Sequence, residues 1–155
     1  MPQHSFNSPL GPLTVTEEDG VLVALDWGWA CQVEQTPLLL EAQAQLDDYF
    51  DRKRQIFDLP MTPHGTDFQQ RVWAAMTMIP YGGTRSYGDI AKQLGSSARA
   101  VGTACGLNPL PILIPCHRVL AAGGALGGYS GDDGVETKRR LLRLEGATWR
   151  EPAEA

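Results

Sequence analysis

In the first 25 residues, short apolar and polar stretches alternate between turn formers. Ser5-Phe6-Asn7, then Pro12-Leu13-Thr14-Val15-Thr16, then Val21-Leu22-Val23-Ala24-Leu25 are separated by Ser8-Pro9-Leu10-Gly11 and Glu17-Glu18-Asp19-Gly20. Short strands joined by Pro/Gly and Asp-Gly turns predict an antiparallel meander. At Thr36 the period changes. Thr36 reads as an N-cap and Pro37 as the first helical residue, and Leu39, Ala42, Leu46 and Tyr49 or Phe50 recur on one face, which predicts a helix over 37–50. Residues 53–63, punctuated by Pro60 and Pro63, read as a linker.

A second helical stripe follows. Phe68, Val72, Ala75, Met76 and Ile79 lie behind Gly65-Thr66-Asp67 and stop at Pro80-Tyr81-Gly82-Gly83. Ser86 and Asp89 stand at capping-box spacing and open a short helix that reaches Gly95, with Asp in place of the usual Glu or Gln. Gly95-Ser96-Ser97 turns the chain into a second short helix over 98–105, which has a small-residue face. Such a pair is a helix-turn-helix pattern that lays its second helix in a DNA groove; many helical hairpins that touch no DNA share it.

Asn108-Pro109-Leu110-Pro111 breaks that helix. It leads into Ile112-Leu113-Ile114-Pro115-Cys116-His117-Arg118-Val119, an apolar run read as a strand that delivers Cys116 and His117 at its end. Residues 121–133 are glycine-rich, either a surface excursion or a wall of backbone N–H groups that a ligand can approach closely. Residues 135–144 predict a basic amphipathic helix whose Lys138, Arg139, Arg140 and Arg143 face solvent or lie near phosphates. Glu145 ends it, Trp149 reads as a packing residue, and the tail from Glu151 is expected to fray. The architecture expected is α/β in the α+β sense. A small N-terminal antiparallel sheet with a helix spans 1–63, and a mainly helical part with the helix-turn-helix and the Pro-Cys-His-Arg segment spans 64–155.

Composition narrows the function classes. With 155 residues, 43% hydrophobic and 20% charged, the chain has the make-up of a soluble globular protein. Cys31, Cys105 and Cys116 are odd in number and show no C-x-x-C spacing, so neither a disulfide framework nor a zinc knuckle is indicated and a reducing cytoplasm is expected. His4, His64 and Cys31 are too scattered to suggest a metal site. No secretory leader and no bilayer-length apolar run is visible. The net charge of −5 divides unevenly. Residues 1–65 carry 3 Lys+Arg against 10 Asp+Glu, a net of −7, and residues 66–155 carry 10 against 8, a net of +2. A polyanion would therefore meet the second half.

The Cys116-His117-Arg118 run holds the candidate chemistry. A thiol becomes nucleophilic as the thiolate, and an adjacent imidazole with a fixed guanidinium charge favours that form. Taken alone, such a pair more often marks a buried, inert cysteine, and the rest of the chain has to argue for reactivity.

The ordered set Ser86-Tyr87, Arg99-Ala100-Val101-Gly102, Asn108-Pro109, Pro115-Cys116-His117-Arg118-Val119, Gly128-Tyr129-Ser130 and Leu141-Leu142-x-x-Glu145-Gly146 resembles the O6-alkylguanine-DNA alkyltransferases. The likeness runs through residues 66 to 146, and the Ser8-Pro9-Leu10-Gly11 turn is similar to the family's N-terminal domain. The resemblance implies direct reversal of DNA damage: stoichiometric, irreversible transfer of an alkyl group from O6-alkylguanine in double-stranded DNA to a cysteine. O4-alkylthymine is left open as a further substrate.

By that resemblance Cys116 is the acceptor, His117 activates it through a water, Glu145 orients the imidazole and Asn108 braces the turn. Tyr87 donates a proton to guanine N3. Ser86, Ala98 and Arg99 belong to the DNA-contacting hairpin, with Arg99 filling the gap left by the flipped nucleotide. Cys105 stands beside the flipped base, the carbonyls of Cys116 and Val119 read its exocyclic amine, and Tyr129 and Ser130 close the pocket. No cofactor and no metal is implied, and a monomer is expected. Gly88, Gly106 and Cys105 depart from the pattern; the two glycines replace residues that grip phosphate in relatives. Two other classes fit less of the chain. A Cys-His hydrolase would need an oxyanion site for which no donor is evident. A non-catalytic lesion sensor would not need the cysteine.

Overall fold

Alternating burial turns the first stretch into a sheet. In the computed structural model, which describes residues 1–128 and 134–151, β1 (Gln3–Phe6), β2 (Leu13–Glu18) and β3 (Val21–Trp27) pair antiparallel in the order β1-β2-β3. His4 sits opposite Val15, and Val15 opposite Leu25, with a bulge at Thr16/Glu17. The helix α1 (Pro37–Phe50) packs on this sheet. It starts where expected: the Thr36 side chain accepts the Leu39 N–H at 3.1 Å, and Pro37 supplies a first-turn residue that has no N–H to satisfy. Leu39, Ala42, Leu46 and Tyr49 form its buried face, so Tyr49 takes the core position and Phe50 stays partly exposed.

Residues 53–63 are not a free linker. Leu22 donates to the Pro60 carbonyl and accepts from the Thr62 N–H, so this segment adds a bridge at Met61 beside β3. The buried Gln45 secures it further. Its amide donates to the Asp58 carbonyl at 3.0 Å and accepts the Asp58 N–H at 2.9 Å. Backbone pairing thus satisfies polar groups that prolines at 60 and 63 leave available. The chain divides into two units, Met1–His64 and Gly65–Ala155.

In the second unit, α2 (Asp67–Thr77) begins with a Thr66/Gln69 capping box, and Trp73 joins Val72, Ala75 and Met76 on its buried side. The Trp73 indole N–H donates to the Ala104 carbonyl at 2.9 Å and so ties α2 to the end of the helical hairpin. A two-residue strand, β4 (Arg85–Ser86), leads into α3 (Tyr87–Leu94), and Ser97 caps α4 (Ala98–Gly106). Gly95 makes the sharp turn between the helices because its φ of +67° is open to glycine without a Cβ clash. β4 pairs in parallel with β5 (Val119–Leu120). The helix α5 (Val135–Leu144) follows, and Leu120, Leu126, Leu142 and Ala147 form a cluster against which Trp149 packs. Both oxygens of Glu151 meet the Arg139 guanidinium at 2.8–2.9 Å, and the rest of the tail expected to fray, residues 152–155, lies outside the described residues.

The strand expected over 112–119 is corrected. Only Val119–Leu120 is strand, and Cys116–Arg118 forms a 3-10 turn. Two hydrogen bonds spanning three residues produce it, Arg118 N–H to the Pro115 carbonyl at 3.0 Å and Val119 N–H to the Cys116 carbonyl.

Candidate functional site

Residues 112 to 120 are all buried, so the Cys116 turn is set inside the second unit rather than on a loop tip. Asn108 shapes its approach. The side-chain amide donates to the Ile114 carbonyl and accepts the Leu110 N–H, each at 2.9 Å, and so closes the loop that precedes Cys116. Ile112 inside this loop has φ of +72°, a costly conformation for a β-branched residue that the Asn108 clasp and complete burial hold in place.

On one side of the turn lies a closed polar network. His117 is fully buried and its Nε2 meets Glu145 Oε2 at 2.8 Å. Arg118 grips the same carboxylate with two N–H groups, Nε to Oε1 at 2.8 Å and Nη2 to Oε2 at 2.9 Å, and spends Nη1 on the Ile79 carbonyl at 2.7 Å. The Tyr81 ring covers the guanidinium at 5.8 Å, and its hydroxyl donates to the Leu144 carbonyl. A carboxylate facing Nε2 accepts a hydrogen bond, so the neutral imidazole keeps its proton on Nε2 and its lone pair on Nδ1. That Nδ1 is buried and has no hydrogen-bond partner among the described residues. Burial pushes the His117 pKa down even though Glu145 pulls it up, so the ring is neutral and its open nitrogen is a base.

On the other side, Tyr87 opens α3, and burial together with the Cys105 and Cys116 thiols pushes its phenol up to about 12. It therefore keeps its proton at neutral pH and can donate it. Cys105, in the last turn of α4, is pushed up to about 12 as well, chiefly by burial and then by Cys116. Its thiol contacts the Met76 sulfur at 3.3 Å, an environment that keeps it protonated and inert.

Lys138 was expected on a solvated face and is instead completely buried. Its ammonium donates to the Val119 carbonyl at 2.7 Å and to the Gly128 carbonyl at 3.1 Å, and lies 5.7 Å from the centre of the Tyr87 ring. Sequence reasoning missed it because it stands in a row of cations with Arg139 and Arg140. The available signal was its phase: Thr137, Lys138, Leu141 and Leu142 share the buried side of α5.

The site thus brings together Cys116, His117, Glu145 and Asn108, with Tyr87 and Cys105 electrostatically coupled to the Cys116 thiol. Val119 donates its N–H to the Cys116 carbonyl, and its own carbonyl already accepts from Lys138. Ser86 is spent on capping α3, where its hydroxyl accepts the Asp89 N–H at 3.0 Å. Ala98 and Arg99 are exposed at the start of α4. Tyr129 and Ser130 lie outside the described residues.

Comparison with known proteins adds an independent line. The family described as 6-O-methylguanine DNA methyltransferase, DNA binding domain, matches residues 67–147, and its ribonuclease-like domain matches residues 1–63. The constitutive methylated-DNA--protein-cysteine methyltransferase of Bacillus subtilis is 44% identical over 157 residues, covering 93% of this chain and 94% of the relative. A Mycobacterium tuberculosis protein of the same name is 45% identical over 155 residues, covering 91% and 90%. The crystal structure of Mycobacterium tuberculosis OGT in complex with DNA superposes with a TM-score of 0.85 at 43% identity, covering 94% of this chain and 93% of that one. An O6-methylguanine DNA methyltransferase from Methanococcus jannaschii superposes with a TM-score of 0.69 at 28% identity, covering 97% of each chain.

Proposed function

The chain belongs to the 6-O-methylguanine DNA methyltransferase family, and we propose that it repairs O6-alkylguanine in double-stranded DNA by moving the alkyl group irreversibly onto Cys116. The observation that supports this reading most is the buried network behind the cysteine. Arg118 fixes the Glu145 carboxylate, Glu145 accepts the hydrogen bond from the Nε2–H of His117, and Nδ1 is left as an open base one residue from the thiol. Side chains of neighbouring residues in a 3-10 turn diverge by about 120°, so the thiol proton reaches Nδ1 through an intervening water.

The sulfur lone pair then attacks the alkyl carbon, the S–C bond forms, and the C–O6 bond pair returns to the purine. Tyr87, protonated at neutral pH, gives the leaving base a proton. The proton surrendered by the thiol balances the one delivered to guanine. A thioether offers water no carbonyl to attack, so the sulfur is not regenerated and each protein acts once.

A base within a duplex stack has to be turned out before Cys116 can reach it. We assign that step to residues 64–155, with α4 in the groove, Arg99 in the vacated stack, and Ser86 and Ala98 beside the backbone. Cys105 and the Cys116 and Val119 carbonyls face the extruded base. The protein acts as a cytoplasmic monomer and uses no cofactor. Among the described residues no helix is long and apolar enough to cross a membrane. The test is a titration of a duplex carrying one O6-methylguanine with increasing protein. Lesions lost are expected to equal protein molecules added; many lesions repaired per protein, or none, overturns the reading.

A further inference from the structure

Lys138 is a fully buried charge that this mechanism does not use. Its nitrogen has three N–H donors, and the Val119 and Gly128 carbonyls take two of them. Gly127 lies against both the ammonium and the Tyr87 ring. With φ of +71°, a Cβ at that position would stand 3.4 Å from the Lys138 nitrogen and 3.3 Å from the Tyr87 ring. Carbonyl dipoles solvate an ammonium but do not neutralise it. Among the described residues no carboxylate forms an ion pair with Lys138.

A cation taken out of water without a counter-charge is costly. Tyr87 from α3 lies beside the ammonium, the Val119 carbonyl that holds it belongs to the residue closing the Cys116 turn, and Cys105 from α4 and Cys116 and His117 from that turn are electrostatically coupled to it. Only one of these has to become an anion for alkyl transfer. Tyr87 and Cys105 are both pushed up to about 12 and hold their protons. His117 cannot supply a lasting positive charge, because burial lowers its pKa and Lys138 lowers it further.

We propose that Lys138 is the counter-cation of the Cys116 thiolate: a positioning residue whose ammonium, held by the Val119 and Gly128 carbonyls, balances the charge the sulfur needs for attack. The inference rests on Cys116 being the acceptor. Coupling between the two sites supports it. Burial pushes the Lys138 pKa down to about 8, and Cys116 is the foremost charge pulling it back up. By linkage the ammonium stabilises the thiolate to the same extent. His117 then serves as the exit for the thiol proton, and Lys138 as the charge that remains.

The test uses iodoacetamide, which alkylates a thiolate with loss of iodide and contains no guanine. The rate of Cys116 modification is followed by peptide mass against pH in the wild type, Lys138→Gln and Lys138→Arg. Lys138→Gln is expected to move the midpoint of the profile up by about 1–3 pH units, and Lys138→Arg, which keeps a cation, to return it towards wild type. A Lys138→Gln midpoint equal to wild type with only a lower plateau, or a Lys138→Arg midpoint equal to that of Lys138→Gln, overturns the proposal. A measurement on the unmutated protein does not depend on how the variants fold. The Lys138 side chain, followed by NMR with labelled lysine, should titrate at lower pH once Cys116 is alkylated, because the thiolate charge is gone. An unmoved midpoint overturns the proposal too. If the midpoints move as expected while no methyl group is taken from DNA, the counter-cation stands and the assigned substrate fails.

Discussion

The two sides of Cys116 solve the same problem, a charge out of water, in different ways. On the His117 side the charges are matched within the network: Arg118 and Glu145 form a two-point pair, and the third guanidinium nitrogen donates to the Ile79 carbonyl. On the Tyr87 side a single ammonium sits on two carbonyls and beside two thiols. The first arrangement is complete before any substrate arrives and holds a base in one orientation. In the second, no carboxylate among the described residues pairs with the ammonium, and we assign its balance to the ionised Cys116 sulfur. The difference teaches that the site separates geometry from charge: one side aims the base, and the other is stabilised by the reactive state itself.

The largest effect should come from opening the matched side. Arg118→Met leaves the Glu145 carboxylate buried with no guanidinium, and breaking such a pair costs about 3–5 kcal/mol. Urea denaturation should show that loss, and Arg118→Met/Glu145→Gln together should cost less than Arg118→Met alone. If the double variant is the less stable, the network is not held by charge matching.

The other side should behave oppositely with pH. The Lys138 pKa is lowered from 10.5 to about 8 in the folded state. Below about 8 the ammonium is charged in both states and the fold bears its full desolvation. Between about 8 and 10.5 the unfolded chain holds more protons, so stability gains as pH rises through that window. The stability of wild type minus that of Lys138→Met should therefore climb by on the order of 3 kcal/mol from pH 8 to 10.5. A flat difference would mean that Lys138 is not desolvated at all. Smaller again is the Asn108 clasp, which belongs to neither side. Asn108→Ala removes two hydrogen bonds and should cost about 1–2 kcal/mol, with slower alkyl transfer because the turn before Cys116 loosens. Unchanged transfer would show that the turn is held by packing alone.

Much of the scaffold was legible in the chain because its signals are local. Thr36-Pro37, the Ser86/Asp89 capping box, Gly95 and the Asp19-Gly20 turn each act within four residues. Residues 53–63 were misread because their hydrogen bonds go to Leu22 and Gln45, partners that local composition cannot name. The Cys116 turn was misread as a strand because an apolar run has no period with which to tell the two apart. Its curl depends on Pro115 and on the Asn108 clasp.

The Cys116, His117 and Glu145 set was legible through the resemblance, while the partnership of Glu145 with Arg118 was not read. Lys138 was missed for a physical reason. On its own helix it belongs to a run of cations, and its partners, the Val119 and Gly128 carbonyls, lie ten or more residues away in the chain.

The central claim is that one sulfur, with its two different neighbourhoods, takes the alkyl group and keeps it. Cys105 is a second thiol coupled to the same site, so the decisive measurement is which cysteine carries the mass. After reaction with a duplex containing a single O6-methylguanine, digestion and peptide mass should place one methyl group on the Cys116 peptide and leave the Cys105 and Cys31 peptides unmodified. A methyl group on Cys105, or repaired DNA with no methylated cysteine, would contradict the account.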